Sequence, residues 1–272
     1  MRRSSLLRSL FLILAAILIV GPFLLILMTS FKFQLDIYQG SWIFEPTLQN
    51  YTDVLFSRRS RFTSVLWNSM VVATISTTIV LVIGTLAAYS LHRFRWSKWI
   101  SRGLLSWMLF FHMIPVMTLV GPWYLIFREI GLYNTYTGLI LTHVTINLPM
   151  TVWLMMAFFK EIPREIEEAA QMDGCRRIQA FVYVVLPLVV PGVIASGVLA
   201  FIFSWNEFAI ALNLTSRATA TVPVGVARFA QDYEIQHAQM AAASIVATIP
   251  AILIMFFGQR FVVRGLTLGS VK

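Results

Sequence analysis

Six stretches of mostly apolar residues divide the chain, at positions 10–31, 66–91, 103–127, 136–159, 183–205 and 241–263. A helix rising about 1.5 Å per residue needs about 20 such residues to cross the hydrocarbon core of a bilayer, so each stretch is long enough to span it. No water is present there to satisfy backbone amides, and a helix satisfies them within its own segment. The pattern therefore predicts six transmembrane helices rather than strands, an all-α polytopic membrane protein. The fourth stretch is the least uniform, because His143, Asn147 and Pro149 interrupt it. Long polar-rich connections fall at 32–65 and 206–240, with shorter ones at 92–102, 128–135 and 160–182. No internal repeat, low-complexity run or linker separates them, so one membrane domain is expected over 1–272.

Composition supports this reading. Charged residues make up 12% of the chain and hydrophobic ones 58%, whereas soluble domains carry about 25% charged residues. The net charge of +9 raises nucleic acid as a partner, but the basic residues sit in short loops between apolar runs instead of on one polar face. That distribution sets topology. With the N-terminus inside, the cytoplasmic segments hold fourteen Lys and Arg and the outer ones seven, so both termini are expected in the cytoplasm. Arg58, Arg59 and Arg61 run against the bias without reversing it. Arg2, Arg3 and Arg8 ahead of the first apolar run resemble a signal peptide, but the run is too long and no A-x-A site follows. It is expected to be retained as the first span. Cys175 is the single cysteine, which excludes an intrachain disulfide and a Cys-based metal cluster. The four histidines lie on four different segments without ligand spacing, so no metal site is expected.

The connection at 160–182 carries the most specific pattern. Pro163 suits the first turn of a helix, and Glu165, Glu167 and Glu168 follow where negative charge complements the helix dipole. Gly174 is placed to end that helix in a left-handed conformation, with Arg176 and Arg177 opening the next segment. Ile166, Ala169, Ala170 and Asp173 recur at helical spacing, and the two alanines leave a shallow flank that another protein could approach closely.

Glu168-Ala169-Ala170, Gly174 after three further residues, then Val184 and Leu186-Pro187, resemble the EAA loop of binding-protein-dependent ABC importer permeases. Val184 stands where that family usually has isoleucine. Trp205-Asn206-Glu207-Phe208, Thr221-Val222-Pro223-Val224-Gly225 and the ending Arg264-Gly265-Leu266-Thr267-Leu268-Gly269-Ser270-Val271-Lys272 resemble its carbohydrate branch, and within it the maltose-importer permeases. The resemblance implies a type I ABC importer permease fold in a bacterial or archaeal cytoplasmic membrane. It implies a heterodimer with a sister permease, two ATPase subunits and an extracytoplasmic solute-binding protein. Glu168, Ala169, Ala170, Asp173, Gly174, Leu186 and Pro187 are then the ATPase-coupling residues. No G-x-x-x-x-G-K-[ST] occurs, so no cofactor is expected on this chain, and ATP and magnesium belong to the partner ATPase subunits. The resemblance further implies that Gln231, Asp232, Tyr233 and Glu234 lie in a loop reaching the binding protein, against the alternative of a plain solvated docking loop. It also implies that residues 269–272 reach towards the ATPase pair.

Polar positions inside the spans remain open to two readings. His112, His143 and Asn147 either line a substrate path or bond a neighbouring helix. Trp205, Asn206 and Glu207 either receive a sugar ring and its hydroxyls or form an interfacial tryptophan belt with a solvated glutamate. Pro115, Gly121-Pro122, Pro149, Pro187, Pro191-Gly192 and Pro250 interrupt the spans, singly as packing kinks and together as a mark of a bundle that moves. Three functions compete: a carbohydrate permease; a permease for a polyol or glycerol-phosphate-like solute; and a membrane-embedded enzyme. For the last, no nucleophile, base and carboxylate converge in a motif.

Overall fold

The computed structural model describes residues 2–57, 60–230 and 235–267, with side chains for 8–57, 60–230 and 235–262. Helices form nearly all of it, and no strand occurs among the described residues. In chain order they are α1 (Arg2–Ser30), α2 (Gln34–Tyr38), α3 (Gln49–Phe56), α4 (Phe62–Arg93), α5 (Lys98–Met113), α6 (Val116–Glu129), α7 (Tyr136–Lys160), α8 (Arg164–Met172) and α9 (Arg177–Ala180). A π-helical turn (Phe181–Val185) then leads into α10 (Leu186–Asn206), followed by α11 (Ala209–Leu214), α12 (Val222–Ala227) and α13 (His237–Thr267).

Among the described residues five continuous stretches are long and apolar enough to cross a membrane: Arg8–Ser30, Phe62–Arg93, Tyr136–Lys160, Arg177–Trp205 and His237–Val262. The third expected span is not one rod. It is the pair α5 and α6, bent by 95° at Ile114-Pro115. The cause is local. Proline lacks the N–H that would continue the ladder, and its ring disfavours helical geometry in the residue before it; Ile114 accordingly sits at φ −68°, ψ 124°. Pro22, Pro122, Pro149, Pro191 and Pro250 lie inside helices that continue past them. The long connections are also less loop-like than their composition suggests, since 32–65 contains α2 and α3 and 206–240 contains α11 and α12.

The chain divides into two compact units, Met1–Leu66 with Val222–Pro250, and Trp67–Thr221 with Ala251–Lys272. In the first, the apolar side chains of α1 from Leu10 to Leu27 are exposed along their length. The end of α1 is tied down by Asn50, whose Nδ2 donates to the Ser30 and Lys32 carbonyls at 2.9 and 2.8 Å. Lys32 is buried there, donating to the Ser41 carbonyl at 2.6 Å with Nζ 4.8 Å from the centre of the Phe44 ring. Gln34 holds the far connection in place by donating to the Ile235 carbonyl and accepting from the Ala238 N–H.

The second unit is built on α4, α7 and α10. Its core joins Ala88 and Tyr89 of α4, Val152, Met155, Phe158 and Phe159 of α7, Phe181 and Val185 of the π-helical turn, and Val189, Ala195 and Val198 of α10. The π-helical turn closes with Leu186 N–H donating to the Phe181 carbonyl, one residue beyond the α-helical partner. It falls just ahead of Pro187, which has no N–H to offer. Small residues let the helices approach: a Cβ on Gly192 meets the Phe158 ring, and one on Gly84 meets the Thr151 Cγ2 at 2.7 Å.

Gly192 therefore permits the α7–α10 contact. Gly192→Val should destabilise the chain by about 1–3 kcal/mol through overpacking, and Phe158→Ala in the same background should recover part of the loss. The midpoint of heat-induced loss of the monodisperse size-exclusion peak in detergent reads both. A Gly192→Val midpoint equal to the parent's refutes the contact.

Candidate functional site

The segment after α7 folds into a short helix whose two faces have different fates. Pro163 precedes α8 in an extended conformation, one position earlier than its expected place in the first turn. Glu165 and Glu167 lie in that turn. At the other end the Gly174 N–H donates to the Gln171 carbonyl and the Cys175 N–H to the Ala170 carbonyl, at 3.1 and 3.0 Å. This closure needs a left-handed residue, and Gly174 has φ +90°. Nothing lies within 4 Å of where its Cβ would be, so the demand on Gly174 is conformational rather than steric.

The inner face of α8 is fixed by Glu167, which is 6% exposed. Tyr89 Oη donates to Glu167 Oε1. Arg93 Nε stands 3.1 Å from Oε2, close enough for an ion pair though not aligned as a hydrogen bond. Arg93 Nη2 also donates to the Ile162 carbonyl at 2.9 Å, and Arg164 Nη2 to the His92 carbonyl at 3.1 Å. The Tyr89 ring packs against Phe181 at 4.5 Å and Phe159 at 5.7 Å between centroids. One carboxylate thus connects α8 to α4, with the aromatic contacts extending the connection to α7 and the π-helical turn. In the sequence Glu167 stood out only as a first-turn acid, and neither it nor Tyr89 and Arg93 was marked as an anchor; only the helical angle of Glu167 relative to Ala170 pointed to the buried side.

The outer face carries Glu165, Ile166, Glu168, Ala169, Met172 and Asp173, all exposed, with Met172 at 88%. The alanine pair is divided: Ala169 faces outward, whereas Ala170 is buried against its own chain and does not share the expected shallow flank. Gly174 is exposed, Leu186 is half-buried, and Pro187 is exposed beside the π-helical turn.

The polar candidates inside the spans separate into two groups. His143, Asn147 and Glu207 come together. Asn147 Nδ2 donates to the His143 carbonyl at 2.9 Å and to Ser204 Oγ at 3.1 Å, and Ser204 Oγ lies 3.2 Å from Ser76 Oγ. These bonds join α4, α7 and α10 at depth. His143 is fully buried, its Nε2 4.0 Å from Glu207 Oε2, and neither ring nitrogen has a hydrogen-bond partner among the described residues. Glu207 is not a solvated acid. Its carboxylate accepts from the Ile210 and Ala211 N–H groups at 2.9 and 3.0 Å, capping the start of α11. Trp205 is not a belt residue either, since it is 3% exposed and stacked on Phe201. His112 and Asn206 are exposed and stand outside this cluster. Gln231, Asp232, Tyr233 and Glu234, and the tail at 269–272, lie outside the described residues.

Comparison with known proteins agrees with this architecture. Residues 80–268 match the model of the family described as "Binding-protein-dependent transport system inner membrane component". The trehalose transport system permease protein SugB of Mycobacterium tuberculosis is 41% identical over 229 residues, covering 83% of this chain and 82% of that protein. The trehalose/maltose transport system permease protein MalG of Thermococcus litoralis is 34% identical, covering 96% of this chain and 94% of that protein. Among solved structures, a chain of a bacterial ABC transporter involved in the import of the acidic polysaccharide alginate superposes with a TM-score of 0.80. It is 20% identical and covers 95% of this chain and 96% of that one, a likeness of fold.

The geometry at Glu167 makes a graded prediction. Glu167→Ala leaves the buried Arg93 guanidinium without its counter-charge and should cost about 3–5 kcal/mol. Glu167→Gln keeps an acceptor for Tyr89 and should cost less. Thermal midpoints in detergent should fall in the order parent, Gln, Ala; an Ala variant as stable as the parent contradicts the anchoring role.

Proposed function

The chain belongs to the family of binding-protein-dependent transport system inner membrane components, and from that premise we propose that it is the permease subunit of an ATP-driven carbohydrate importer. It works by alternating access in the cytoplasmic membrane of a bacterium or archaeon. Members of the family work with a solute-binding protein and ATPase subunits. The finer assembly proposed here is a heterodimer with a sister permease, served by two ATPase copies that hold the ATP and magnesium. The carbohydrate cargo is supported by the relatives, whose names specify trehalose and maltose.

The observation that carries the coupling role is the division of α8 into an anchored face and a bare one. An exposed methionine beside exposed acidic and small residues on a short helix is a surface suited to another protein. The ATPase is assigned to this face, which places the loop on the cytoplasmic side, in accord with the excess of Lys and Arg in the segments on that side. A displacement of α8 then passes through Glu167 to Tyr89 and Arg93 at the end of α4. Through the Tyr89–Phe181 contact it reaches the π-helical turn at the root of α10. The spans respond because the connection is a packed, charge-paired core with little slack.

Two substitutions on the face away from Glu167 test this reading in the complete importer reconstituted in liposomes. Gly174→Asp strains the helix end and Ala169→Trp blocks close approach. Each should abolish solute uptake and binding-protein-stimulated ATP hydrolysis while the chain remains in the membrane. Unchanged stimulation in both variants sinks the coupling role. A binding screen of the cognate solute-binding protein against sugars, polyols and their phosphates tests the cargo, and a ligand that is not a carbohydrate overturns that part alone.

A further inference from the structure

The residues that follow α4 and the side of α8 facing them enclose a polar pocket of about 390 Å³. Four guanidinium groups line it, those of Arg93, Arg95, Arg164 and Arg177, against two carboxylates, Glu167 on the inner face of α8 and Glu168 at the edge that the pocket shares with the outer face. Arg93 is committed to Glu167. Arg164 is held by the His92 carbonyl, and Arg177 lies over the Phe94 ring at 5.1 Å. Arg95, Arg164 and Arg177 form no ion pair with a carboxylate among the described residues. The pocket therefore has surplus positive charge, all of it on the side chain whose planar fork matches the oxygens of a phosphate.

Its depth points to the source of that phosphate. Arg93 is the last residue of the Phe62–Arg93 span, so the pocket lies where lipid headgroups meet water. The chain leaving it carries Trp96 and Trp99, 44% and 84% exposed, with Lys98 between them. Exposed tryptophan interleaved with basic residues at a span end is the pattern of a segment lying in the headgroup layer. Basic pockets at such positions recognise anionic lipid phosphates.

We propose that this pocket binds the headgroup phosphate of an anionic phospholipid, with Arg95 and Arg164 as its principal ligands and Arg177 closing the far side. Occupancy neutralises the surplus charge beside Glu167 and braces α8 against the end of α4. The lipid thereby sets how firmly the coupling helix is held. The inference rests on α4 crossing the bilayer and is independent of the cargo.

The test uses the complete importer in nanodiscs of phosphatidylcholine with and without phosphatidylglycerol, comparing the parent with an Arg95→Gln/Arg164→Gln variant. Native mass spectrometry of the complex reads retained phosphatidylglycerol, and binding-protein-stimulated ATP hydrolysis reads the consequence. The parent should retain the anionic lipid and hydrolyse ATP faster in its presence. The variant should bind it about twenty-five-fold more weakly, from about fivefold for each of two basic residues near an anionic surface. It should also lose the lipid-dependent increment in ATP hydrolysis. Equal retention by parent and variant overturns the proposal. So does an increment reproduced by inorganic phosphate in phosphatidylcholine nanodiscs, which assigns the pocket to a free anion. Loss of the ATPase subunits from the variant in both lipids also overturns it, making the arginines a protein contact. Failure of the importer reading itself shows separately, as a parent complex that carries no ATPase subunit.

Discussion

A carboxylate withdrawn from water must be met by charge and hydrogen-bond donors, and among the described residues Glu167 is met from α4, by Tyr89 and Arg93. The orientation of α8 depends on that pairing. A nine-residue helix with apolar residues on its outer face has little reason to hold a fixed angle in isolation. The paired charge supplies the reason, because rotating α8 about its axis strands Glu167 and Arg93 together. The same tyrosine ring lies against Phe159 and Phe181, so the polar lock and the apolar core of the second unit are one structure with two chemistries.

This arrangement explains why a π-helical turn is tolerated at the root of α10. A widened turn is a local loss of helical regularity, acceptable where surrounding packing determines the geometry. Phe181 and Val185, which bracket the turn, are both buried in the core that Tyr89 organises. Between the turn and the far end of α10, the polar contacts among Ser76, Asn147 and Ser204 tie the same three helices at depth. Inside a membrane such bonds are modest individually, and here they share their helices with the lock at the other end.

Much of the fold was legible in the sequence because apolar runs of spanning length leave few alternatives in a bilayer. The broken third span was less so, although its cause is one residue: Pro115 was visible, but five other prolines lie within helices that run on, and local sequence does not distinguish the two outcomes. The segment at 160–182 was legible as a short helix with its Gly174 ending, which depend on local backbone chemistry. Its inner face was not, since Glu167 and Glu168 are the same residue type and only the tertiary partner decides which is buried. The reading of Trp205 and Glu207 as an interfacial belt with a solvated acid fails for a related reason. Their polarity suggested an interface with water, whereas the structure satisfies Glu207 with the first amides of α11 and buries Trp205 against Phe201.

The adjacency of Glu167 and Glu168 also bears on how this loop can change over time. Successive helix residues are separated by about 100° around the axis, so two neighbouring glutamates serve opposite faces only while their phase relative to Tyr89 is kept. A residue gained inside α8, between Arg164 and Glu167, brings Ile166 or the inserted residue to the position facing Arg93, turns Glu167 about 100° away from it and carries a different surface outward. The helix is thus a phase-locked element, unable to shift its rotational frame without exchanging the surface it shows.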